Sequence, residues 1–383
     1  NLLFIRGQNA ASESGDRSKW QKPLSQYCQD DTENILVISF LYQFGAQEPA
    51  MDLSDASADC NGYFEGTKLL DCPQMETEIE FCQSKDKVIL LSLGGADGSY
   101  GISSESEGRK LADTLWNTFG GGESQTRPFG KAKIDGFDLD IEAGDTEGYA
   151  AFVDQMRQHY SSDTSKAYYM SAAPQCPYPD AYLSETLSKA WFDFVWVQFY
   201  NNYCGVTTDD FNYDTWDKWA RTESPNKQVK LFIGVPASSY AAGSGFVSYE
   251  DLTKAITETR DKYESFGGVM MWDASAAYAN TQDASPNYAA AVAGFLHNNS
   301  NQKGTNTITY KNTNNIDISD NSSNNTNSSS STIMDSSSSA SPSSSTPLPV
   351  SPSSSAEPAS TTNSSSITPS VSQTSAPAAP TNG

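Results

Sequence analysis

The chain has 383 residues and carries 47 acidic against 24 basic side chains, a formal net charge of −23. So negative a surface argues against nucleic acid or an anionic membrane as partner and suits an enzyme acting on an uncharged substrate. Two histidines and six cysteines, with no CxxC spacing, leave almost no raw material for a zinc site or for a Ser/His or Cys/His nucleophile pair.

From Leu2 onward, short β-branched and aromatic runs alternate with stretches of helical spacing, which is the pattern of repeated βα units. The expected strands are Leu2 to Gly7, Ile35 to Phe40, Lys87 to Leu93, Ile134 to Glu142, Tyr168 to Ala173, Phe194 to Tyr200, Val229 to Val235 and Gly268 to Trp272. Eight parallel strands alternating with helices close into a (β/α)8 TIM barrel with a packed interior, so the fold class is α/β and the domain runs from residue 1 to 298. Helices are expected over Asp113 to Phe119 and Tyr149 to His159. A third runs from Tyr249 to about Phe266, capped by Ser248 and ended by Gly267 and Gly268.

Residues 299–383 hold Ser runs with Pro, Thr and Asn and almost no large apolar groups. Such a segment cannot offset about 1 to 2 kcal/mol of backbone entropy per ordered residue, so it reads as a disordered, glycosylated tail. Its Asp317, Asp320, Asp335 and Glu357 against Lys303 and Lys311 contribute −2, which leaves −21 on the domain. Sequons at Asn298, Asn321, Asn324, Asn327 and Asn363, together with an even cysteine count, fit a secreted protein. No apolar run approaches the roughly 18 residues of a membrane span and no signal peptide is visible, so the chain reads as a mature form. The small residues from Ala378 to Gly383 would also fit trimming for a lipid anchor.

The most informative segment is Asp135-Gly-Phe-Asp-Leu-Asp-Ile-Glu142. With strand period two, Asp138, Asp140 and Glu142 share one face about 6.5 to 7 Å apart, and Phe137, Leu139 and Ile141 pack on the other. A buried row of acids cannot all ionise, so at least one proton is retained, and the outermost, Glu142, suits a general acid with a raised pKa. Asp140 beneath it can share or pass a proton. The competing readings are a solvated acidic strand end, which the alternation argues against, and a Mg²⁺ or Ca²⁺ site. Neither metal nor cofactor is expected.

DGFDLDIE resembles the DxxDxDxE signature of glycoside hydrolase family 18. LLSLGG at Leu90 to Gly95, SAAPQCPYPD at Ser171 to Asp180, VQFYNNY at Val197 to Tyr203 and GGVMMWDAS at Gly267 to Ser275 are similar to further strands of that family, nearest its plant and yeast-type chitinases. The resemblance implies retaining hydrolysis of β-1,4-linked N-acetylglucosamine polymers, with the substrate's own N-acetyl oxygen as nucleophile. It implies that Glu142 protonates the leaving oxygen, Asp140 binds the acetamido N–H, Asp138 shares a proton from below and Tyr200 orients the acetamido carbonyl. Gln198 and Trp272 are implied to shape the sugar subsite, and Phe40 and Asp135 complete the candidate substrate-binding set.

The cysteine pairing is open from sequence alone; the resemblance implies Cys28 with Cys82, Cys60 with Cys72, and Cys176 with Cys204. The first strand departs from the family, reading Ile5-Arg6-Gly7-Gln8-Asn9 where yeast-type relatives read YWGQN, which removes two aromatics from the expected sugar wall. The rival readings are a chitin-binding lectin of the same fold, an endo-β-N-acetylglucosaminidase acting on N-glycans, and a mainly structural wall protein. The tail reads as a spacer carrying a secreted domain in or across a cell wall, and nothing requires more than a monomer.

Overall fold

A computed structural model describes residues 1–54 and 60–298; the sequence-predicted tail lies outside the described residues. Nine strands form the sheet: β1 (Leu2–Arg6), β2 (Ile35–Gln43), β3 (Ala50–Met51), β4 (Val88–Gly94), β5 (Gly136–Asp140), β6 (Tyr169–Ala172), β7 (Phe194–Gln198), β8 (Lys230–Pro236) and β9 (Phe266–Trp272). Eight of them pair in parallel in the order β1-β9-β8-β7-β6-β5-β4-β2, and β1 pairs with β2 to close the barrel. The short β3 is the exception, pairing antiparallel with the end of β2 through Leu41 and Met51.

The surrounding helices are α1 (Leu24–Tyr27), α2 (Gln74–Gln83), α3 (Glu105–Phe119), α4 (Tyr149–Ser162), α5 (Ser184–Lys189), α6 (Tyr213–Thr222), α7 (Tyr249–Lys262), α8 (Ala274–Ala279) and α9 (Tyr288–Asn298). Strand alternation divides the core in two. Leu3, Ile5, Val37, Leu90, Trp196, Phe232 and Met270 fill the barrel, whereas Phe4, Ile38, Leu91, Phe137, Leu139 and Ile141 pack between sheet and helices. Trp196 stacks on Phe194 and meets Phe232 edge-on, giving the interior an aromatic floor.

Three helix boundaries differ from the sequence expectation, the smallest being α4, which runs on from His159 to Ser162. Ser248 does cap α7, accepting from the Asp251 N–H at 3.1 Å, but the helix ends at Lys262 and not at the glycine pair. Gly267 and Gly268 lie inside β9, where a Cβ on Gly268 would stand 1.9 Å from the Asn1 carbonyl oxygen; bare backbone is needed there for strand approach and not as a helix stop. Helix α3 begins at Glu105, well before the expected Asp113. Its first turns are polar and show no apolar stripe; the Ser104 hydroxyl, which accepts from the Glu107 N–H, and the Arg109–Glu105 pair hold them instead.

Three disulfides are present: Cys28–Cys82 ties the end of α1 to α2, and Cys60–Cys72 and Cys176–Cys204 brace loops. The third joins the loop after β6 to the loop after β7. Both loops leave the C-terminal ends of their strands, the end at which barrels of this kind assemble their sites.

Candidate active site

Strand β5 carries the acids inward. Asp138 is in register with Ser92 on β4 and Ser171 on β6, so the two neighbouring strands place a hydroxyl on each side of one carboxyl. Ser92 Oγ donates to Asp138 Oδ2 at 2.6 Å and Ser171 Oγ donates to Oδ1 at 2.8 Å. Full burial raises the Asp138 pKa to about 6 in spite of these donors, which favour its ionised form.

One layer up, Asp140 accepts from Gln198 Nε2 at 2.9 Å, and the same amino group is fixed by the Ala173 carbonyl at 2.9 Å. Burial, then the charges of Glu142, Asp138 and Asp180, push Asp140 well above the ordinary aspartate range. Like charges buried this close favour keeping a proton shared within the column.

Glu142 stands beyond the end of β5 and is half-buried. Its backbone N–H donates to the Tyr100 hydroxyl at 2.9 Å, and that hydroxyl donates to the Gly95 carbonyl at 2.8 Å, so the acid's backbone is tied to the end of β4. Gln175 Nε2 donates to Glu142 Oε2 at 3.0 Å. Burial raises the Glu142 pKa, with the Gln175 and Gln198 amides opposing and the charges of Asp180 and Asp97 adding to the rise. A carboxyl so placed is protonated more readily than a free glutamate and still reaches solvent.

Gly94 and Gly95 serve close packing. A Cβ on Gly94 would stand 2.0 Å from the Asp140 carbonyl oxygen, and one on Gly95 would press into the Phe40 ring at 2.9 Å. Phe40 in turn stacks on Trp272 with ring centroids 6.1 Å apart, so two aromatics from β2 and β9 form one wall. Tyr200, two residues beyond Gln198, is buried in the barrel interior, and burial with the nearby Asp140 and Glu142 charges raises its hydroxyl pKa well above normal.

Of the residues singled out in the sequence, Asp138, Asp140, Glu142, Gln198 and Tyr200 gather at the C-terminal mouth, with Phe40 and Trp272 as its wall. Asp135 does not join them. It precedes β5 at the opposite end of the barrel, held by Lys166, by Gln83 Nε2 at 3.0 Å and by the Ile89 N–H at 2.8 Å. The five residues of β5 lie between it and the mouth, about 16 Å of extended chain, so its expected sugar contact is corrected to a structural anchor.

The first-strand departure also resolves into two different positions. Ile5 faces the barrel interior, where the aromatic would point, but Arg6 faces outward and donates from Nη2 to the Lys22 carbonyl at 3.2 Å. Arg6 is therefore absent from any sugar wall. Sequence reading missed Ser92, Ser171, Tyr100, Gln175, Asp180 and Asn202. The serines could have been found by aligning the strands in parallel register, whereas the loop residues follow from no periodicity.

A parallel barrel with a proton-holding column of carboxyls at its C-terminal mouth is equipped for acid–base chemistry. The chain belongs to the glycosyl hydrolases family 18, whose family model matches residues 18–318. Among curated relatives it is 48% identical over 281 residues to Chitinase 2 of Rhizopus oligosporus, covering 73% of this chain and 50% of that protein. It is 40% identical over 293 residues to Endochitinase 33 of Trichoderma harzianum, covering 73% of this chain and 88% of the relative. The solved structure of ICChI chitinase from Ipomoea carnea matches with a TM-score of 0.63 and 30% identity, over 77% of this chain and 99% of that one. The chain spans about half the length of the Rhizopus relative.

Proposed function

We propose that this protein is a chitinase that hydrolyses β-1,4 linkages of N-acetylglucosamine polymers with retention of configuration. The observation that carries the reading is the graded column of Asp138, Asp140 and Glu142, in which the deepest acid is fully hydrogen-bonded and the outermost is half-buried with a raised pKa. The names of the relatives, chitinase and endochitinase, support chitin as substrate.

In this reading Glu142 gives its proton to the glycosidic oxygen as that bond breaks. The acetamido oxygen of the same sugar attacks the anomeric carbon, so no enzyme carboxylate becomes covalently attached. Asp140, oriented by Gln198, accepts a hydrogen bond from the acetamido N–H and offsets the positive charge of the cyclic intermediate, and Asp138 beneath it takes up the balance of the shared proton. Tyr200 aligns the acetamido carbonyl, and Glu142, now ionised, removes a proton from the water that opens the ring. The Phe40–Trp272 wall supplies an apolar surface beneath the sugar.

The three disulfides and the fungal relatives support a place outside the cell or in the wall; the Ser-rich composition and sequons of residues 299–383 support a glycosylated spacer after a catalytic unit of residues 1–298. Among the described residues no helix is long and apolar enough to cross a membrane. The test is the anomer first released from a short chitin oligomer, followed by proton NMR. Initial β product is expected; initial α product would refute the substrate-assisted route.

A further inference from the structure

The loops that follow β6 and β7 meet beside Glu142, and the contact between them has a direction. Asn202 Nδ2 donates to Gln175 Oε1 at 3.1 Å and also faces the Tyr200 carbonyl at 3.5 Å. Gln175 Nε2, the other end of that amide, donates to Glu142 Oε2. We propose that Asn202 and Gln175 form a one-way hydrogen-bond relay that fixes which oxygen of Glu142 carries the acid proton. The proposal rests on the reading of Glu142 as the acid, and it makes both amides positioning residues.

The direction follows from what each group can do. A backbone carbonyl only accepts, so Asn202 must turn its amino group toward Tyr200 and thus toward Gln175. Gln175 must then present oxygen to Asn202 and its amino group to Glu142. Reversing the Gln175 amide alone would set two amino groups against each other. Reversing both would set the Asn202 oxygen against the Tyr200 carbonyl.

Because Oε2 is always met by a donor, it accepts in both protonation states and the proton resides on Oε1. The same donor stabilises the carboxylate and so opposes the burial that raises its pKa. Gln175 therefore sets the face the acid presents and, together with Gln198, tempers its strength.

The relay is held at both ends. The Gln175 N–H donates to Asp180 Oδ2 at 2.9 Å, and the neighbouring backbone is fixed by the Gln198 N–H to the Pro174 carbonyl at 2.8 Å and the Cys176 N–H to the Gln198 carbonyl at 3.2 Å. Asp180 is itself anchored by the Tyr182 and Leu183 N–H groups. The Cys176–Cys204 disulfide joins the residue after Gln175 to a residue two beyond Asn202, so neither amide can drift without the other.

The experiment is a carbon-detected NMR titration of the Glu142 carboxyl in the full chain labelled at glutamate, with the resonance identified by its loss in Glu142→Gln. Gln175→Leu is expected to raise the Glu142 titration midpoint by about one pH unit, and the basic limb of kcat should move with it. Asn202→Leu should shift it the same way by less. Asn202→Asp offers an acceptor where a donor stood, which favours the reversed Gln175 amide, so it should also raise the midpoint; the uncharged Asn202→Leu separates loss of the donor from the added charge. Should Gln175→Leu fold poorly by near-UV circular dichroism, the Asn202 variants decide. An unmoved midpoint in folded variants would overturn the relay, even if kcat fell. The titration needs no turnover, so a failure of the reading of Glu142 as the acid, seen as undiminished hydrolysis in Glu142→Gln, stays distinct from a failure of the relay.

Discussion

Ser92 Oγ donates to Asp138 Oδ2 at 2.6 Å because the two residues are directly in register on adjacent parallel strands. Both are fully buried, so the bond forms where no water can replace it. Ser92→Ala should cost about 1 to 3 kcal/mol of stability, the range for an unmet buried polar group. It should also push Asp138 further toward its neutral form and lower kcat. Thermal unfolding and turnover of the variant check both effects; an unchanged melting temperature would contradict the first.

Glu33 is a buried acid that lies away from the mouth. Glu33 accepts from the Tyr278 hydroxyl at 2.8 Å, and burial raises its pKa from 4.5 to about 7, with the Tyr278 bond and Lys87 opposing and Asp30 adding to the rise. A carboxyl raised on folding stabilises the native state only while protonated, so its contribution is intact below the unfolded value and disappears as pH rises through the folded one. Glu33→Gln, which stays neutral, should match wild type near pH 4 and exceed it near pH 8 by up to about 3 kcal/mol. Denaturant melts at the two pH values measure this, and equal stability of the two proteins near pH 8 would contradict it.

The disulfides should differ in their effect on turnover. Removing Cys60–Cys72 or Cys176–Cys204 by paired serine substitution should cost about 2 to 4 kcal/mol in each case. Only loss of Cys176–Cys204 should also lower kcat at a temperature where both variants are folded, because that bridge lies between Gln175 and Asn202. Equal kcat in the two variants would count against the coupling.

Much of this site was legible because its information is periodic. Alternation in β5 puts Asp138, Asp140 and Glu142 on one face, and the same rule places Gln198 and Tyr200 together on and beyond β7. Ser92 and Ser171 escaped notice since their meaning depends on which strand lies beside which, a fact of register and not of local pattern. Asp135 misled for the opposite reason. It belongs to the same acidic motif, yet it stands at the other end of the strand, where Lys166 satisfies it. The end of α7 was misplaced because glycines that admit a close backbone contact in β9 look, in one dimension, like a helix stop. The roles of Gln175 and Asn202 come from loops and appear only when two loops are brought together.

The most direct test of the account is release of soluble N-acetylglucosamine oligomers from colloidal chitin by wild type and by Glu142→Gln, compared at equal melting temperature. General acid catalysis contributes about 100- to 10,000-fold, so the variant should lose at least 100-fold in turnover while still binding chitin. Wild type that binds chitin but releases nothing would contradict the chitinase reading and favour a lectin, and a variant that hydrolyses as fast as wild type would contradict the assignment of Glu142 as the acid.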